Sequence, residues 1–128
     1  MNILFVDDME ERHKAFLKRK PLGSKVYCAH TYDQAIWHLG TIQFDILFLD
    51  HDLSETAIMC DPDNIDERTG TDLAKEIVSL DLDPKPGIVI HSLNPVGAER
   101  MHLILKDAGY DAVRIPFYML SSHLRIGP

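Results

Sequence analysis

The chain has 128 residues, the size of one domain, and can bury roughly two-thirds of its unfolded surface. Hydrophobic residues at 45% and charged residues at 26% exclude a disordered segment, and a net charge of −7 speaks against nonspecific binding to duplex DNA. No run approaches the ~20 apolar residues of a membrane span, the N-terminus enters directly into a strand pattern, and Cys28 and Cys60 lack metal spacing, so a soluble cytoplasmic protein with free thiols is expected.

Residues 2–6 (NILFV) are apolar throughout, as in a strand buried on both faces, and end in Asp7-Asp8. Asp8 is a candidate cap for a helix over 10–19, closed by Pro21 and Gly23. Residues 25–29 (KVYCA) read as a second strand. Residues 32–39 carry Ala35, Ile36 and Leu39 at helical spacing, with Gly40 as the stop. A third buried strand spans 44–49 (FDILFL) and runs into Asp50-His51-Asp52. The polar stretch 54–68 that follows is long for a strand-to-helix loop; its acidic part, 61–67, is a candidate second cation site or a mobile lid. Thr71 or Asp72 opens a helix through residue 80. Residues 88–90 are a fourth strand ending in His91-Ser92, followed by a turn over 94–97 and a helix over 98–107 that Gly109 stops. A fifth strand spans 112–115, and the tail 118–128 reads as a short helix.

Strands alternating with helices predict an α/β fold: a doubly wound, five-stranded parallel sheet, flavodoxin-like, in one domain over 1–128. Right-handed crossovers favour strand order 2-1-3-4-5, with the ligand site beyond the carboxyl ends of the strands. Asp7, Asp8, Asp50, His51, Asp52, His91 and Ser92 gather there. Crowded carboxylates require a proton or a cation among them. Asp7, Asp8 and Asp50 suit Mg²⁺ or Mn²⁺, and imidazoles from His51 and His91 shift the preference toward Mn, Fe or Zn. His51, His91 and Asp52 are the candidate catalytic groups, because imidazole titrates near neutrality. Ser92, Asn94, the helix start at Gly97 and Arg114 are candidate phosphate ligands. Arg12 and His13 stand one turn into the first helix, near enough to lean over the site. His30, His38, His102 and His123 read as surface histidines.

Asp7-Asp8 after the first strand, Asp50 after the third, Ser92 after the fourth and Pro116-Phe117 after the fifth resemble a two-component receiver domain across nearly the whole chain. That resemblance implies that Asp7 and Asp8 hold Mg²⁺ and that Asp50 is a ligand and phosphoryl acceptor. The receiver lysine before Pro-Phe is replaced by Ile115, with Arg114 one residue earlier. The motifs LDHDL (49–53), TGTDLA (69–74) and HSLNPVGAERM (91–101) are more similar to a receiver offshoot known from bacteria and phages, the cyclic-phosphate processing receiver domains. This resemblance implies a metal-dependent phosphoesterase acting on a cyclic phosphate of a nucleotide or RNA end. Two alternatives stand beside it: a switch phosphorylated on Asp50, and a noncatalytic module that binds a nucleotide or a partner.

Overall fold

The computed structural model describes residues 1–53 and 68–120. Strands β1 (Asn2–Val6), β2 (Lys25–Ala29), β3 (Ile46–Leu49), β4 (Gly87–Ile90) and β5 (Ala112–Arg114) form one parallel sheet in the order β2-β1-β3-β4-β5. Between them run helices α1 (Glu10–Lys18), α2 (Tyr32–Thr41), α3 (Gly70–Leu80) and α4 (Pro95–Asp107). This is the doubly wound order expected from the sequence. Chain order reverses direction between β1 and β3, and the crevice that opens there is where such sheets bind ligands.

Side chains alternate across the strands, and the sheet therefore builds two cores. Leu4, Val6, Leu47, Leu49, Ile88 and Ile90 face α2, α3 and α4 and pack with Leu73, Ile77, Met101 and Leu105. Ile3, Phe5 and Phe48 face α1 and pack with Phe16 and Leu120. After Asn2 the inner strands carry no polar side chain, because both faces are covered.

Several boundaries differ from the sequence reading for local reasons. Helix α1 takes Met9 as its N-cap, with no side-chain cap bond; Asp8 does not cap it, and Asp7 Oδ1 accepts the Met9 N–H at 2.8 Å. Gly40 does not stop α2, which runs on to Thr41. Thr69 rather than Thr71 or Asp72 caps α3, in a reciprocal pair: the Thr69 N–H donates to Asp72 Oδ2 at 2.8 Å while Thr69 Oγ1 accepts the Thr71 N–H at 3.2 Å. The turn read over 94–97 is the first turn of α4. Asn94 caps it, and Pro95 starts it, where its missing N–H costs nothing. After β5 the chain makes a short 3₁₀ turn, Phe117–Met119. The acidic stretch 61–67, Cys60, His123 and most of the predicted C-terminal helix lie outside the described residues. Among the described residues no helix is long and apolar enough to cross a membrane.

Candidate functional site

Alternation along the strands decides where each polar side chain at the sheet's end points. Phe5 pairs in register with Phe48, and Phe48 with Val89, all on the α1 face. Two residues further along each strand stand Asp7, Asp50 and His91, on that same face. The ladder extends to hold them: the Asp50 N–H donates to Val6 O at 3.1 Å and the His91 N–H to Leu49 O at 3.0 Å. Asp7, Asp50 and His91 are all buried, and each offers a donor atom within 4.8 Å of the others. His51 and Ser92 follow the opposite parity, toward the starts of α3 and α4, whereas Asp8 lies close enough to Asp50 and Arg12 to act on the charge of both.

Asp7 is the most heavily supported member. His91 Nε2–H donates to its Oδ2 at 3.0 Å, Arg12 Nη1 approaches the same oxygen at 3.3 Å, and Met9 N–H serves Oδ1. His13 Nε2–H donates to its backbone carbonyl at 2.7 Å. Burial pushes the Asp7 carboxyl up, but the His91 hydrogen bond, the Met9 N–H and Arg12 outweigh it and hold Asp7 below the usual carboxylate range. Burial lowers the pKa of both His91 and His13, keeping the rings neutral. The two rings flank Phe5: His91 stacks on it at 4.8 Å between centroids and His13 meets it edge-on at 5.0 Å. His30, read from sequence as a surface residue, stacks on His13 at 3.9 Å and contacts Glu10 Oε2 at 2.6 Å.

Asp50 is the strained charge. Burial first, then repulsion from Asp7, carries its carboxyl up to about 7, against the pull of Arg12 at 3.5 Å and of the His51 N–H at 2.9 Å. Asp7 and Asp50 together hold more negative charge than Arg12 cancels. That surplus, in a pocket of carboxylates, fits a hard divalent cation. The Nε2 atom of His91 is already spent on Asp7, so the donors left are oxygens, which suit Mg²⁺ or Mn²⁺ better than Zn²⁺.

His51 sits beside this cluster, wedged between the starts of two helices. Its Nε2 is 3.1 Å from Thr71 Oγ1; its Nδ1 is 3.1 Å from Asp52 Oδ1 and 3.3 Å from Asn94 Nδ2. Either tautomer finds partners: a proton on Nδ1 meets Asp52 while Thr71 donates to Nε2, and a proton on Nε2 meets Thr71 while Asn94 donates to Nδ1. Two glycines make the space. A Cβ on Gly97 would enter the His51 ring, and a Cβ on Gly70 would strike Asp50 O, His51 Cα and Met101 Sδ. The Gly97 N–H, expected to face a phosphate, is taken by Asn94 Oδ1 at 3.1 Å, and Ser92 Oγ accepts the Asn94 N–H at 3.0 Å. Arg114 is drawn outward from the cluster by Glu99, at 2.6 Å. Asp52 is exposed.

Sequence reasoning placed seven of these side chains at one end of the sheet but did not anticipate Thr71, Gly70 or the two-histidine support of Asp7. For Thr71 a signal was present: Thr69 and Asp72 have capping-box spacing, which sets Thr71 on the first turn of α3, facing the strand ends.

An acidic pocket at the ends of β1 and β3, on a sheet of this order, defines a receiver domain. Solved receiver structures share the fold: a CheY-like receiver domain from Methanospirillum hungatei (18% identity, 96% of this chain and 92% of that one, TM-score 0.66), a signal receiver domain of a LuxO-type repressor from Vibrio parahaemolyticus (15%, 97% and 83%, 0.71), and a response regulator from Thermotoga maritima in complex with Mg²⁺-BeF (19%, 90% and 84%, 0.63). Within that class, the cyclic-phosphate processing receiver domain matches residues 2–107, and the chain belongs to that family. No curated protein matches the sequence.

Proposed function

We propose that this receiver domain is a metal-dependent phosphoesterase that opens a cyclic phosphate of a nucleotide or RNA end. One observation carries the reading: two buried carboxylates, Asp7 and Asp50, converge with His91 within 4.8 Å beside a histidine whose neighbours serve both of its tautomers. Family membership supports the substrate class.

In this reading Asp7, Asp8 and Asp50 hold Mg²⁺ or Mn²⁺, and His91 orients Asp7. A divalent cation there lowers the pKa of bound water and neutralises charge on the phosphoryl oxygens. A water oxygen bonds to phosphorus, one ring P–O bond breaks, and the product is a phosphomonoester. His51 takes a proton from the attacking water and returns one to the leaving oxygen, with Asp52, Asn94 and Thr71 holding the ring in line. The Ser92 hydroxyl and the Asn94 amide donate to phosphoryl oxygens at the start of α4, and Gly97 keeps that end open for His51. Arg114 joins them only by releasing Glu99. The ligand is a small phosphorylated molecule, a nucleotide or an RNA terminus.

The test is turnover of 2′,3′- and 3′,5′-cyclic nucleotides with Mg²⁺, Mn²⁺ or Zn²⁺. Phosphomonoester formed with metal and absent with EDTA is expected. No product with any metal at high enzyme concentration rejects the reading. A labile adduct of one phosphoryl group on Asp50, formed from a small phosphoryl donor in the absence of turnover, supports a signalling switch instead.

A further inference from the structure

Arg12 reaches from the first turn of α1 over the mouth of the pocket. Its Nη1 lies 3.3 Å from Asp7 Oδ2 and 3.5 Å from Asp50 Oδ2, and its guanidinium carbon stands 5.6 Å from the centre of the Phe117 ring. Those carboxylates belong to the same cluster that offers donors to a cation. A Mg²⁺-sized ion bound to them sits about 2 Å from each oxygen, and two cations held by the same oxygens repel one another. Arg12 and the metal therefore compete. Arg12 is one-fifth exposed, and thus has an open side to move into, with Phe117 as an apolar surface on which to pivot. The other arginine near these strand ends, Arg114, is held by Glu99, and Ile115 at the exit of β5 carries no charge.

We propose that Arg12 is an exchangeable counter-ion: it offsets part of the charge of Asp7 and Asp50 in the metal-free protein, and when a divalent cation takes those carboxylates the guanidinium moves onto the oxygens of the bound phosphoryl group. Metal and phosphate then bind cooperatively through one side chain. This rests on the metal-dependent reading above. The guanidinium fork matches two phosphoryl oxygens at once, which a lysine cannot do.

The experiment measures Mn²⁺ binding by the loss of the free-ion EPR signal, with Mn²⁺ alone and with saturating inorganic phosphate, for the unsubstituted chain, R12Q and R12K. R12Q is expected to bind Mn²⁺ alone several-fold more tightly than the unsubstituted chain. Phosphate is expected to raise the Mn²⁺ affinity of the unsubstituted chain by about tenfold and that of R12Q very little. R12K keeps the charge and is expected to match the unsubstituted chain with Mn²⁺ alone but to gain less from phosphate. Equal Mn²⁺ affinity in R12Q, or an equal gain from phosphate, overturns the exchange while leaving the metal site in place. An unsubstituted chain that binds no Mn²⁺ overturns both readings. Should R12Q not fold, side-chain ¹⁵N NMR of Arg12 in the unsubstituted protein decides the matter. The Nε–H signal must shift on adding Mg²⁺ and again on adding phosphate; an unmoved signal overturns the exchange.

Discussion

The Nε2–H of His91 donates to Asp7 Oδ2 across 3.0 Å, with both side chains wholly buried. The bond joins β4 to β1 over β3, at the level where a ligand enters. Because His91 is neutral and Asp7 ionised, this is a hydrogen bond to a buried charge, among the more valuable kinds.

Replacing His91 by Phe keeps a ring on Phe5 and removes only the donor. H91F should lose about 2–3 kcal/mol in urea unfolding at pH 7 without metal. The Asp7 carboxyl should move upward, as read by ¹³C NMR. A loss within error of zero would mean that Met9 and Arg12 suffice to hold the Asp7 charge.

Asp50 gives a pH signature. Its folded pKa, about 7, lies above the model-compound value of 3.8, so between those values the folded state keeps a proton the unfolded state has lost. Its stabilisation is fully present below pH 3.8 and is lost as the pH rises through about 7. His91 and His13, with lowered pKa values, run the other way below their ordinary range, so the two trends overlap in the unsubstituted protein. Comparison with D50N isolates the first. In EDTA, D50N should match the unsubstituted chain at pH 3 to 4. It should gain on it up to neutrality, by roughly 2–4 kcal/mol at the plateau. A gap that stays flat with pH would show that Asp50 is ionised throughout.

The glycines around His51 should behave differently from one elsewhere. G70A and G97A place a methyl group into Asp50 and His51 respectively, and each should cost about 1–3 kcal/mol in thermal or urea unfolding. G40A, inside α2 with open space around it, should be neutral or stabilising by up to about 1 kcal/mol. Equal effects at all three positions would remove the steric argument.

For cyclic nucleotide turnover, H51A should lower kcat by about 10²–10⁴-fold. T71V, which keeps the shape but removes the hydroxyl from His51 Nε2, should lower it by about tenfold with little change in KM. Unchanged kcat in H51A with full metal binding would assign the proton transfers to another group.

The three inner strands were legible because they are short, almost wholly apolar runs that stop at an acid or a histidine, a pattern that little besides a covered parallel sheet produces. Glycine misled twice. Gly40 lies near the end of α2 without ending it, because its conformation is helical. Gly97, read as part of a turn, is inside α4, because Asn94 and Pro95 together make a stronger start than Ala98. At the site, the sequence named Asp7, Asp50 and His91 together with Asp8, His51 and Ser92 as one group. The structure parts His51 and Ser92 from Asp7, Asp50 and His91 by strand parity, information that was present in the alternation along the strands that end in Asp7 and Asp50. What no local pattern carries is reach: that Arg12 spans to two strands, that His13 meets the Asp7 carbonyl, and that Arg114 is drawn to Glu99 are outcomes of packing between segments far apart in the chain.

The His51 carbonyl accepts the Gly70 N–H at 2.7 Å, so the exit of β3 is bolted directly to the first residue of α3. The chain between them leaves and returns at that clasp, with Asp52 against His51 on one side and the Thr69 cap of α3 on the other. Chain length there can grow or shrink at small entropic penalty, about 0.6 kcal/mol for each doubling. A change of length confined to positions 54–67 should therefore leave the strand ends intact, because Asp52 beside His51 and the Thr69 cap of α3 lie outside it.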